Sequence, residues 1–151
     1  MSYLIDAFLP TSEIPSPAGA RQFLIDGVYF DDRPTITIQN AYDGTFVRME
    51  VRYSAERHPL VLRRLSGEDA EAARGAASDV AIACDRPDIA KAIAESAVVL
   101  EWEIERAELD EDGWFAMRQW HTWVVSRSGG WIYGPEDGIF DSDLVRQCKD
   151  E

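Results

Sequence analysis

Histidine, cysteine and lysine are all scarce in this 151-residue sequence, which has two of each. The cysteines, Cys84 and Cys148, stand 64 positions apart, unlike the dense, closely spaced cysteines of a small secreted scaffold. They are read as thiols of a reducing compartment. Neither has a local partner that would mark a thiolate nucleophile, and no G-x-S-x-G elbow occurs. With so few and such widely separated ligands, a structural zinc site is excluded. No glycine run makes a phosphate loop. Gly129-Gly130 reads instead as a helix end, and Gly134 through Gly138 as a hairpin turn. No apolar run approaches the roughly 20 residues of a membrane span. The opening M-S-Y-L-I-D-A-F-L-P has no basic residue before its apolar stretch, and Asp6 interrupts it. A cytoplasmic protein is expected.

Cationic charge is the other shortage. Fifteen Lys+Arg face 28 Asp+Glu, a formal net charge of −13. Phosphate repels a field of that sign, which argues against direct nucleic-acid binding and against adhesion to anionic membranes. The hydrophobic content, 46% with 11% aromatic, is that of a folded chain. At this length about 70% of the unfolded surface can be buried, so no metal or disulfide is required. One domain over 1–151 is expected, with about 144–151 a polar tail.

Pattern places the elements. Tyr3–Leu9 suits a strand; Ser16 caps a short helix with Pro17 at its first position and Gly27 at its end. Thr35–Gln39 and Thr45–Tyr53 alternate cleanly around the turn residues Asn40–Gly44 and form a hairpin. Ser66 opens an Ala-rich helix. Residues 80–84 fit a helix or a strand, and we place a helix over 67–77 and a short strand over 80–84. Pro87 opens another helix, ending near Ser96. Val98–Arg106 is a strand with Leu100, Trp102 and Ile104 on one face and Glu101, Glu103 and Glu105 on the other. If it lies beside residues 45–53, those acids meet Arg48 and Arg52. Asp110–Asp112 starts the last helix, which Gly129-Gly130 ends, and two short strands follow. The class is α+β: a single, mostly antiparallel sheet with helices packed on one face, its halves resembling two split β-α-β units.

Candidate chemistry is sparse. His58, before Pro59, reads as a turn residue, and His121, on the apolar arc of the last helix, as a hydrogen-bonded core residue. Asp110-Glu-Asp-Gly113 lacks the ligands and spacing of an EF-hand loop, and Asp137, Asp141 and Asp143 read as a solvated turn. No catalytic residue, metal ligand or cofactor is assigned. The charge, however, is concentrated. Residues 101–112 hold seven acids and one base, 136–143 hold four acids and no base, and 46–65 hold five arginines against two glutamates. An acidic docking face for a basic protein would have this form. Its candidate residues are Glu108, Asp110, Glu111, Asp112, Glu136 and Asp137. Trp123, opposite the apolar arc, is either covered by another element or an anchor for the partner.

In size, acidity, lack of a catalytic set and its ending, G-G-W-I-Y-G-P-E-D-G-I-F from Gly129 to Phe140, the chain resembles small bacterial immunity or inhibitor proteins. The resemblance implies a non-enzymatic protein that neutralises a basic partner such as a toxin nuclease. Such proteins share no single fold or motif, so it transfers no residue roles. Two other classes share parts of this pattern. A nucleic-acid mimic needs carboxylates at phosphate-like intervals along one face. An enzyme or small-ligand binder needs a pocket in which His121 meets a carboxylate.

Overall fold

The structure, a computed structural model, describes residues 2–27, 29–30, 33–42, 44–105 and 110–148. Among these, eight strands and four helices follow in the order β1 (Ser2–Leu9), α1 (Pro17–Asp26), β2 (Thr35–Asn40), β3 (Phe46–Arg52), β4 (Leu60–Leu65), α2 (Gly67–Ala83), α3 (Pro87–Ala94), β5 (Val98–Glu105), α4 (Glu111–Ser128), β6 (Trp131–Gly134), β7 (Gly138–Phe140) and β8 (Arg146–Cys148). The strands form one antiparallel sheet in the order β2-β3-β4-β5-β1-β6-β7-β8. The α+β class and the single antiparallel sheet are those expected from the pattern.

The helices do not share one face. Tyr3, Ile5 and Leu9 of β1 pack with Leu24 of α1 and Trp120 of α4. Phe8 of β1 and Val99 of β5 face the other way, onto Ala77 of α2 and Ile93 of α3. The central strands carry consecutive apolar residues, Ala7-Phe8-Leu9 and Val98-Val99-Leu100, so both of their faces need a cover. Nor are the halves equivalent split units. The meander β2-β3-β4 runs from the edge inward to β5, whereas β6-β7-β8 runs from β1 outward.

Three local assignments are corrected. Residues 80–83 continue α2, because Ala77 and Ala81 lie one turn apart and bury together against the sheet. Residues 60–65 are a strand hidden in the sequence by Pro59 and the paired arginines; Leu60 and Leu62 turn to the core while Val61 and Arg63 turn away. The final segment is not all tail. The Asp141 carboxylate accepts the amides of Asp143 and Val145, turning the chain so that residues 146–148 pair with β7. Cys148 is thereby bonded to Cys84 at the end of α2, which corrects the reading of two separate thiols.

The ends of α4 have plain causes. The Asp110 side chain accepts the Gly113 amide and caps the first turn, while Gly129 closes the last turn at φ 78°. A side chain at Gly130 would start 2.2 Å from the Phe8 carbonyl oxygen, so this glycine lets the chain pass tightly over β1.

Candidate functional site

Topology decides where the candidate acids go. β5 ends at Glu105 beside the start of β1, and α4 begins from that end; β6 runs antiparallel to β1 and reaches its turn at the same end. Asp110, Glu111 and Asp112 are thus brought to the same end as Glu136 and Asp137. Glu108 lies outside the described residues. Asp110 already serves as the helix cap and sits 3.5 Å from Arg57 Nε. With Asp112, Arg52, Tyr53 and Arg57 it lines an open groove of about 560 Å³. Burial, and next the charge on Asp110, push the Tyr53 hydroxyl above its ordinary value. Asp137 accepts the Tyr3 hydroxyl, while Glu111 and Glu136 are exposed.

Trp123 is not part of this end. Twelve positions beyond Glu111, it lies roughly 18 Å further along α4. There α1 half-covers it, with Phe23 stacked 4.4 Å away at 6°. Trp120 meets it edge-on and the Arg127 guanidinium stands 5.5 Å from its ring.

The carboxylates of β5 are paired, but not as expected. β5 adjoins β4 rather than β3, so Arg63 takes the place assigned to Arg48 and Arg52: its Nη2 is 2.8 Å from Glu101 and 3.5 Å from Glu103. Arg48 stands 3.8 Å from Glu50 of its own strand. Across β1, Asp6 is the register partner of Glu101, and both are buried. Burial first, then the Glu101 carboxyl beside it, raise Asp6 far above the usual carboxylate range; Arg63 opposes this incompletely. Asp6 therefore keeps its proton near neutral pH, and Arg63 bonds the Glu101 carboxyl beside it.

A third arrangement was not legible in the sequence. Between α4 and the β6–β8 side of the sheet is a cavity of about 340 Å³. Trp114, Met117, Arg118 and His121 line it from one helix face at positions i, i+3, i+4 and i+7. Tyr3, Ile132 and Asp137 line it from the sheet side, and Phe140, Leu144 and Arg146 from the β7–β8 side. Leu144 is held there at φ 61°, a left-handed conformation that costs about 1 kcal/mol for a side chain with a Cβ. His121 is 3% exposed, and neither ring nitrogen has a partner among the described residues. It is a core residue as read, but not a hydrogen-bonded one. Burial brings its pKa down to about 3, so the ring is neutral near pH 7. Leaving a buried donor and acceptor unmet costs about 1–3 kcal/mol each. The helical pattern flagged His121 as inward; only the sheet could show what lay in front of it.

No family model matches the chain, and no curated protein or solved structure matches it. Among the described residues, no helix is long and apolar enough to cross a membrane.

Proposed function

We propose that this chain is a non-catalytic interaction protein of the immunity or inhibitor type, which neutralises a basic partner such as a toxin nuclease by docking an acidic surface on it. What supports this reading is the convergence of two acidic segments, distant in sequence, at one end of the sheet. Glu111 and Asp112 have no ion pair among the described residues, so their field is open to a partner. Asp110 and Asp137 serve as a cap and a hydrogen-bond acceptor; Glu111 and Asp112 are the docking carboxylates, with the exposed Glu136 at the same end of the sheet. The exposed acids at this end, which also carries Arg52 and Arg57, would steer a basic partner in, with an association rate that falls as salt rises. The row Glu101, Glu103, Glu105 has a regular spacing of about 6.7 Å along its strand. It opens on a buried acid already bonded to Arg63, which weighs against mimicry of a phosphate backbone.

Tagged wild-type chain should retain one basic protein from lysate of its native host at low salt and release it as salt rises. The variant E111K/D112K/E136K, with unchanged thermal unfolding, should retain roughly a tenth as much or less. Equal retention by the variant overturns the docking surface. This reading keeps the encounter in the cytoplasm, although the Cys84–Cys148 disulfide favours an oxidising compartment; in the cytoplasm that bond would have to stand reduced. Alkylation in intact host cells should then modify both thiols, and protection of both would place it elsewhere.

A further inference from the structure

We propose that the cavity between α4 and β6–β8 is a binding site for a small organic anion with an apolar, ring-sized body. The inference is independent of the docking surface. The volume, about 340 Å³, falls within the range of small-molecule sites. Trp114, Met117, Ile132 and Phe140 offer an apolar, partly aromatic wall for the body of such a ligand. His121 closes that wall, with both ring nitrogens buried and engaged by no described residue.

The sign of the ligand follows from the mouth. Arg118 and Arg146 line the cavity from opposite sides, one on α4 and one on β8, and both are exposed. Neither has a hydrogen-bond or ion-pair partner among the described residues, in a chain whose acids outnumber its bases by 13. Two unpaired guanidiniums flanking an apolar cavity suit a carboxylate, which they can take through charge-assisted hydrogen bonds. Asp137 is the counter-charge in the lining, and it already accepts the Tyr3 hydroxyl. A cation would have to compete with that hydroxyl for Asp137 in a lining that carries two arginines.

Three probes of one shape separate the possibilities: 1-naphthoate, 1-naphthalenemethanol and 1-naphthylmethylamine, each titrated into the ¹⁵N-labelled full chain. Naphthoate should saturably shift the Trp114 indole N–H and the His121 ring nitrogens, and bind about tenfold tighter than the alcohol or the amine. R118Q/R146Q, two changes at exposed positions, should remove that tenfold preference and leave the alcohol's affinity unchanged. H121L should weaken both ligands. Absence of a saturable shift with naphthoate overturns the site, as does equal or tighter binding of the amine. Naphthoate affinity unmoved in R118Q/R146Q overturns the assigned anion preference. None of these changes touches Glu111, Asp112 or Glu136, so failure here and failure of the docking surface are read separately.

Discussion

Asp6 and Glu101 face each other across the β1–β5 pair, away from water, and one of them must stay protonated. Because the raised group is an acid, the folded chain holds a proton that the unfolded chain releases above about pH 4. Its contribution to stability is complete below that pH and declines as pH rises through neutrality. Asp6→Asn, which keeps the shape without the proton, should therefore gain thermal stability over wild type at pH 8 relative to pH 4. An equal difference at both pH values would show that the carboxyl pair is not strained by ionisation. His121 acts in the opposite direction. Its folded pKa, about 3, lies below the unfolded value near 6.5, so it costs stability as pH falls through that window. His121→Leu should be at least as stable as wild type at pH 7, and its advantage in urea midpoint should widen at pH 4. A constant difference would mean that the imidazole is not desolvated. Between pH 4 and 6.5 the two residues pull against each other, so only the single variants separate them.

Among the elements, β8 depends most on a contact far away in sequence. It is three residues long, lies at the sheet edge, and is tied through Cys148 to the end of α2. Closing a loop over a separation of 64 residues stabilises a chain by about 4 kcal/mol in the chain-entropy model. Reduction should lower stability by about that amount, and hydrogen exchange should rise first at β7 and β8. Uniform loss of protection across the sheet would instead make β8 part of one cooperative unit. Leu144 and Arg146 stand on this segment, so the bond on one face of the sheet also holds the cavity wall on the other. Pattern alone could not have placed β8: three residues carry too little periodicity, and the partner that justifies them is across the fold. β3, by contrast, alternates in sequence from Val47 to Arg52 and was readable directly.

Over the whole molecule, 28 acids against 15 bases leave a repulsion that ions can screen. Raising NaCl from roughly 20 to roughly 200 mM shortens the Debye length from about 20 Å to about 7 Å and should raise Tm by a few degrees. A falling Tm would mean that the Arg63 and Arg57 pairs outweigh the repulsion. The sequence by itself determined the class, the hairpin, the capped ends of α1 and α4 and the inward face of His121. These follow from spacing and from side chains bonding their near neighbours. Tertiary structure alone decided that β4 separates β3 from β5, so that Arg63 rather than Arg48 or Arg52 meets the glutamates. It also decided that Asp6 shares its surroundings with Glu101, that Cys84 reaches Cys148, and that a cavity opens before His121. Each of these depends on strand order and on which face a crossover takes. Those are set by the burial of the whole apolar surface at once, which no local window of residues contains.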